Sequence, residues 1–431
     1  MIGSTPERSI DQAGLRIELG PSVAGLDPEA LVARYGSPLY VYDADAIRRR
    51  VAALRSAMPD AVDLAFATKA NPSPGVLALL ARSGLGADVA SGGELRAVLR
   101  AGFDPARLVF TGPGKTDAEL SAALRAKIGA LTIESLDELE SVIEMAGEAE
   151  ARQGLMLRLA TGGDAEGRPI IGGAGNAKFG LTDDEADAAV MRLSEAGTLL
   201  PGGPFVLRGF HAFGASNILD AAVLVRGMQD LARRAERIAE RHGLEIELLD
   251  AGGGLGIAYA DADRPLDLID LGRGIRKEMT RWAERASLRG SRLLLEPGRW
   301  LTGPAGAYVC RVVRTKERGG RHVAVTDGGI HHLLRPRLVG QDHRVVPVGA
   351  ASARDRDARV DIVGPLCTGL DILASGVAAP APRPGDLYAV LDAGAYGYSE
   401  SMPFFLSHPI PAEVVVEGDG VRVSRERIEP A

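Results

Sequence analysis

Lys69 stands at the end of an apolar run, Val62-Asp-Leu-Ala-Phe-Ala-Thr68, and Ala70-Asn71-Pro72-Ser73-Pro74 follows it at once. Two prolines so close keep a helix from starting early, so the lysine sits at a strand end with its ammonium directed beyond it. Most lysines in such a place are solvated charges. A desolvated one is an amine able to form a Schiff base with an aldehyde cofactor. Further chemistry-bearing residues close other apolar runs: Asp88 and Ser91, Arg158, His211-Ala-Phe213-Gly-Ala-Ser216, Gly252-Gly-Gly-Leu-Gly256, and Glu296-Pro-Gly-Arg299. An amine for an aldehyde, a glycine loop whose N–H groups cradle a phosphate, and a carboxylate that holds a pyridinium proton together describe pyridoxal 5'-phosphate.

Each residue taken alone has a plainer reading. The Gly252–Gly256 loop follows a strand and could hold a dinucleotide, though its spacing is not G-x-G-x-x-G and it lies late in the chain. Glu296 could be a surface carboxylate, although Leu293-Leu-Leu295 before it suggests a strand entering a core. Arg299 could pair with a neighbouring acid. His211 and Phe213, two apart on one strand face, could be barrel filling. Joint placement at strand ends is what these plainer readings leave unexplained.

The elements that carry these residues alternate regularly. Apolar runs begin near Val62, Ala87, Leu108, Leu131, Leu155, Phe205, Ile246 and Leu293. Helical patterns intervene at Gly75–Ser83, Glu94–Ala101, Ala118–Lys127, Leu136–Glu148, Asp183–Ala196, Ala221–His242 and Leu266–Ala286. Eight strands and seven intervening helices predict an α/β fold, a (β/α)8 TIM-like barrel whose active site lies at the C-terminal strand ends. A doubly wound open sheet alternates in the same way, and the count of eight favours the barrel. Leu39-Tyr-Val-Tyr42 reads as a strand before the first barrel helix, which Asp43 caps. After Pro297 the helices stop. Tyr308–Val313, His322–Thr326, Val345–Val348, Val360–Val363, Leu387–Leu391 and Val414–Val416 read as strands, and Gly418-Asp419-Gly420 marks a hairpin turn. The expected organisation is an N-terminal segment 1–38, a barrel over 39–299 and a mostly-β domain over 300–431.

Composition narrows the function classes. With 431 residues, 46% of them hydrophobic, the chain can build two domains with sizeable cores. A net charge of −7 with mixed signs and no dense basic tract argues against nucleic acid as a partner. Two cysteines, Cys310 and Cys367, are too few for a disulfide framework and fit a reducing compartment. The polar start and the lack of a long apolar run predict a cytoplasmic protein with no membrane partner. No metal site is expected.

Seven motifs in combination resemble the fold-type III pyridoxal-phosphate decarboxylases, which include diaminopimelate and ornithine decarboxylases. They are Ala67-Thr-Lys69-Ala-Asn71, Asp88-Val-Ala-Ser-Gly-Gly-Glu94, Lys178-Phe-Gly180, Gly252-Gly-Gly254, Glu296-Pro-Gly-Arg299, Gly364-Pro-Leu-Cys367 and Gly394-Ala-Tyr396-Gly397. The similarity runs from about Leu39 to Val416. It implies a barrel followed by a C-terminal β domain of the alanine racemase and decarboxylase type, to which the N-terminal segment contributes. It also implies a head-to-tail homodimer in which Cys367 and Tyr396 reach the partner's cofactor. Carried over, Lys69 forms the Schiff base, Glu296 keeps the pyridine nitrogen protonated, and Cys367 protonates Cα after carbon dioxide leaves. Ser216, Gly253, Gly254, Gly298, Arg299 and Tyr396 are expected at the phosphate, and Asp88, Arg158, His211 and Phe213 around the ring. A free thiol titrates near about 8.5, close enough to neutrality for a proton donor.

Two departures bear on the substrate. The family's ring-stacking histidine lies three residues before the phosphate serine, where this chain has Phe213; its ring can stack but cannot donate a proton. The residue after the cysteine, acidic in both named enzymes, is Thr368, and Leu334-Arg335-Pro-Arg337-Leu-Val339 has valine where the diaminopimelate enzymes have tyrosine. Losing the acid removes a charge-assisted bond to a distal ammonium, roughly 1.5–3 kcal/mol. Arg299, Arg335, Thr368 and Tyr396 are the expected substrate contacts, and the arginines favour a distal carboxylate, amide or phosphate. The leading expectation is Cα decarboxylation of an amino acid other than diaminopimelate. The alternatives are a glutamyl group tethered to an acyl-carrier protein, as in secondary-metabolism relatives, diaminopimelate itself, and a non-catalytic regulatory homologue. A racemase is disfavoured, since alanine racemases of this class use a tyrosine and lack Gly-Pro-x-Cys.

Overall fold

The computed structural model describes residues 15–17, 22–148, 152–161, 178–200 and 202–430. Eight parallel strands close a barrel: β2 (Val62–Ala67), β3 (Gly86–Val89), β4 (Leu108–Phe110), β5 (Ala130–Ile133), β6 (Gln153–Arg158), β7 (Phe205–His211), β8 (Leu248–Asp250) and β9 (Arg292–Leu295). Closure comes from β9 against β2, with Val62 opposite Leu293 and Leu64 opposite Leu295. Alternation along each strand sorts the residues. Leu64 and Phe66 of β2 face the helix layer, whereas Ala65 joins Val109, Ala130, Met156, Leu248 and Leu294 in a separate interior cluster. Helices fill the crossovers much as their apolar spacing predicts. Two of them, Asp117–Ala126 and Asp183–Glu195, open with complete capping boxes, Thr116 with Glu119 and Thr182 with Glu185.

The strand expected inside the barrel segment 39–299 but ahead of the eight barrel strands pairs elsewhere. β1 (Leu39–Asp43) lies in the second sheet, antiparallel to β10 (Gly306–Arg318) and parallel to β16 (Ala412–Glu417). Leu39, Tyr40, Val41 and Tyr42 are all buried, so both faces of this strand are covered and it reads as a continuous apolar run. That pattern is the same for a barrel strand and a central sheet strand, and sequence alone cannot separate them. The barrel therefore begins after β1, beyond the expected boundary at residue 39.

The remaining strands of this sheet are β11 (Arg321–Thr326), β12 (Val345–Val348), β13 (Ala358–Val363), β14 (Ile372–Ala379), β15 (Leu387–Val390) and β17 (Gly420–Arg425). The order is β14-β13-β11-β10-β1-β16-β17, with β15 joining β10 to β12. Ile17, Val23, Leu31 and Val32 pack with Leu39, Val41, Val309 and Val348, so the described N-terminal residues belong with this sheet. Two bonds bolt the sheet's domain to the barrel mouth: Asn71 Nδ2 donates to Gly394 O (2.9 Å) and Tyr396 N donates to Ala70 O (2.8 Å). Among the described residues no helix is long and apolar enough to cross a membrane. Of the expected glycine-rich loop 161–176, only Thr161 lies within the described residues.

Candidate active site

The C-terminal strand ends converge on a cavity of about 190 Å3. Lys69 sits in a single 3-10 turn after β2, held there while Pro74 starts the next helix. Its Nζ lies 2.6 Å from Asp88 Oδ2 at the end of β3, and Asp88 Oδ1 accepts from Thr111 Oγ1 at 2.6 Å. Burial opposes the ammonium, but the carboxylates of Asp88 and Glu296 outweigh it and hold the Lys69 pKa above its ordinary value. Arg158, closing β6, gives both its Nη1 bonds to Glu134, at 2.8 and 2.9 Å, and lies 4.7 Å from the Phe179 ring centroid. Ser91 turns away from the cavity and caps the helix Gly92–Ala101 by accepting from Glu94 N.

Across the cavity three buried groups close β7, β8 and β9: His211, Asp250 and Glu296. One polar atom from each lies within 4.8 Å of the others. They are under-bonded. His211 has no partner at either ring nitrogen, and Asp250 Oδ2 and Glu296 Oε1 have none. Burial, reinforced by the Arg158, Lys69 and Lys115 charges, pushes His211 well down, so its ring is neutral. Burial pushes Asp250 up to about 7, and burial together with the Asp250 and Asp88 charges raises Glu296 well above the carboxylate range. Two adjacent buried acids of this kind retain a proton at neutral pH. Unsatisfied buried oxygens cost free energy unless a ligand donor meets them.

The loop after β8 is shaped for an anion. Gly252 and Gly254 hold φ of +65° and +87°, and a Cβ on Gly253 would stand 2.5 Å from Glu296 O. Backbone therefore packs where no side chain fits, leaving peptide groups to line the cavity. Arg299 faces this loop, 4% exposed. Its Nη1 donates to Tyr259 OH (2.7 Å), its Nη2 approaches Ser216 Oγ (3.4 Å), and its guanidinium lies 4.6 Å from the Tyr396 ring centroid. No carboxylate pairs with it among the described residues, and a buried cation without a counter-ion calls for a bound anion.

Of the residues expected at the cofactor, Lys69, Arg158, His211, Phe213, Ser216, Gly253, Gly254, Glu296, Gly298, Arg299 and Tyr396 line this one cavity, with Asp88 directly behind Lys69. Tyr396 does so from its own chain rather than from a partner, because its backbone N–H is bonded to Ala70 beside Lys69. Arg335 is buried behind Tyr396, 5.2 Å from the ring centroid, and its Nη1 pairs with Glu400 Oε2 at 3.1 Å. Cys367 and Thr368 do not line the cavity; they sit on the loop between β13 and β14, where the thiol is exposed. Sequence reasoning missed Thr111, Glu134, Asp250, Tyr259 and Glu400. Asp250 was findable, since it ends a strand two residues before the glycine loop.

A barrel with a strand-end lysine, a glycine nest facing an unpaired buried arginine, and a buried acid pair on the opposite side defines a pyridoxal-phosphate enzyme. The residues present fit that cofactor: the nest and Arg299 suit its phosphate, and the orphaned acid oxygens suit its ring N–H. Residues 44–303 match the family model described as the pyridoxal binding domain of pyridoxal-dependent decarboxylases. The chain is 34% identical over 409 residues to the diaminopimelate decarboxylase of Aquifex aeolicus, covering 94% of this chain and 92% of that one. It is 31% identical over 404 residues to the L-glutamyl-(BtrI acyl-carrier protein) decarboxylase of Niallia circulans, covering 92% and 93%. A solved diaminopimelate decarboxylase from M. jannaschii, in co-complex with L-lysine, superposes with a TM-score of 0.86 at 27% identity over 96% of this chain and 95% of that one. The chain belongs to the pyridoxal-dependent decarboxylase family. It is a carboxy-lyase that uses pyridoxal 5'-phosphate to decarboxylate an amino acid.

Proposed function

We propose that Lys69 is the cofactor's anchoring amine and that the chain decarboxylates an amino acid, other than diaminopimelate, at Cα. One observation carries the role of Lys69: it lines one cavity with Glu296, Gly253, Gly254 and Arg299. When bound, the cofactor supplies the electron sink for the pair left at Cα as carbon dioxide departs. The chain's own groups do the rest. Asp88, 2.6 Å away, orients the Lys69 ammonium at the cavity wall. Glu296, with Asp250 and the neutral His211 beside it, would hold a proton at the ring nitrogen. Ser216, Gly254, Arg299 and Tyr396 would hold the phosphate, Arg158 lies at the cavity wall, and Phe213 would pack against the ring. Cys367 of a second copy delivers the proton to Cα. Its exposure at a loop tip away from its own cavity supports a head-to-tail homodimer with shared sites.

For the substrate, Thr368 provides no anion for a distal ammonium, and Val339 provides no hydroxyl, which supports an amino acid with a neutral or acidic distal group. The Niallia circulans relative, named for a glutamyl group on a carrier protein, is in line with this. A second reading, diaminopimelate, is favoured by Glu400. Its carboxylate beside Arg335 places both signs together behind Tyr396, as a distal amino-acid head requires, and relatives such as that of Aquifex aeolicus are named for this substrate. Mass spectrometry of products decides between them. The purified holoenzyme is offered meso-diaminopimelate, L- and D-ornithine, L- and D-lysine, glutamate, and a glutamyl carrier thioester. Product from glutamate or its thioester is the expected result. Turnover of diaminopimelate above all others overturns the leading substrate reading.

A further inference from the structure

The loop 364–371 between β13 and β14 is closed from inside by a carboxylate that the cavity does not use. Asp371 is 3% exposed. Its Oδ2 accepts from Leu366 N at 2.7 Å and its Oδ1 from Ile330 N at 2.8 Å. Its main chain closes the same loop, Gly364 N donating to Asp371 O (3.1 Å) and Asp371 N to Thr368 O (3.3 Å). The carboxylate fits because Gly329 and Gly364 carry no side chain: a Cβ on either would stand 2.2 or 2.3 Å from its oxygens. Backbone bonds alone suffice to close a hairpin, so a buried carboxylate, costly to desolvate, is not needed for closure. What it adds is a fixed relation between two separate loops. Leu366 is bound to one oxygen, Ile330 to the other, and Cys367 is the residue next to Leu366.

We propose that Asp371 is the positioning residue for Cys367: by locking Leu366 against Ile330 it sets the direction in which the neighbouring thiol leaves the loop. This rests on the reading of Cys367 as the proton donor to a second copy's site. The chemistry of the two oxygens makes the role graded. Asn at 371 can accept from one N–H while its amide NH2 faces the other, and Ala accepts from neither.

The test is iodoacetamide alkylation of both cysteines in the pyridoxal-phosphate-loaded protein, read by peptide mass spectrometry, for wild type, D371N and D371A. Cys310, fully buried in the sheet, reports general loosening. In the wild type Cys367 is expected to react far more slowly than in urea-unfolded chain, because a second copy covers it. Each lost bond is expected to speed its reaction by about fivefold, so D371A exceeds D371N, with Cys310 silent throughout. Equal Cys367 rates in the three proteins, with the wild type shielded, overturn the positioning role and leave the proton-donor reading intact. A wild-type Cys367 as reactive as in unfolded chain overturns that reading, and the positioning role with it. Parallel reaction of Cys310 makes Asp371 merely structural and also overturns the proposal.

Discussion

The barrel mouth and the β-domain loops both carry reactive groups, but they keep them in opposite states. At the mouth, Lys69, His211, Glu296 and Arg299 line one cavity with Asp88 and Asp250 packed against them, and every one except Lys69 is nearly or fully buried. Their charges act on one another, so the pKa values of Lys69, His211, Asp250 and Glu296 are displaced. On the β domain, Cys367 stands exposed at a loop tip, with Leu370 64% exposed beside it and Phe404 81% exposed on another loop. Among the described residues nothing in its own chain receives that thiol. On the proposed reading, the mouth is the preorganised cofactor half of a shared site and these loops are the half offered to a second copy.

Breaking the mouth should have the largest effect. Lys69→Ala is expected to lower turnover by more than about a thousandfold and to abolish the imine absorbance of the loaded protein. Retained absorbance would move the anchor elsewhere. Breaking the displayed half comes next. Cys367→Ala is expected to lower kcat by about a hundredfold, in the range of a lost general acid, with the imine absorbance unchanged. Co-refolding Lys69→Ala with Cys367→Ala sharpens the contrast. If the halves come from different copies, random pairing restores about a quarter of wild-type activity, since one site in each mixed dimer is whole. No recovery would mean that the thiol serves its own chain.

The two regions also differed in how far their sequences disclosed them. All eight barrel strands and their helices were legible, because a half-buried βα unit writes its period plainly in apolar residues. The site residues on strand ends were legible for the same reason: topology sends those ends to one place. The β domain was harder. β14 was missed, since Ile372-Leu-Ala-Ser-Gly376 carries few branched residues and a glycine with φ of +64°. β17 was read only as the far side of a turn. Tyr396 was assigned to a partner because a motif gives order along the chain but not which copy a loop approaches; the Ala70 bond that settles its place is long-range. Glu134 and Glu400 each lie in unremarkable local sequence, and only tertiary contact pairs them with Arg158 and Arg335.

A smaller effect tests whether the mouth is built against itself without its cofactor. Asp250 has a folded pKa of about 7 against 3.8 for the ordinary group. Between those values the folded chain binds more protons than the unfolded one, so stability falls as pH rises. The shift amounts to about 4 kcal/mol lost across that window in the cofactor-free protein. Urea midpoints measured at pH 5 and pH 8 should show the fall, and Asp250→Asn should flatten it. Loading pyridoxal phosphate should also flatten it, because a ring N–H then meets the acid oxygens. An unchanged slope in the loaded protein would place the ring nitrogen away from Glu296.

The smallest expected effect concerns Phe213, which stands where the family's histidine stacks. A ring covering another ring contributes about 1 kcal/mol beyond its area, so Phe213→Leu should weaken cofactor binding by about fivefold, and Phe213→His by less. Titration of the cofactor-free protein with pyridoxal phosphate measures both. The same ring is held from behind: a Cβ on Gly252 would stand 2.8 Å from Phe213 Cδ2, at a residue whose φ of +65° already disfavours a side chain. Gly252→Ala should therefore weaken binding partly by pushing the ring into the cavity. That part should vanish in the Phe213→Leu background, leaving a double variant less impaired than the product of the two single effects. Strict multiplicativity would mean that the loop and the ring act on the cofactor separately, and that Phe213 is filling rather than a cover.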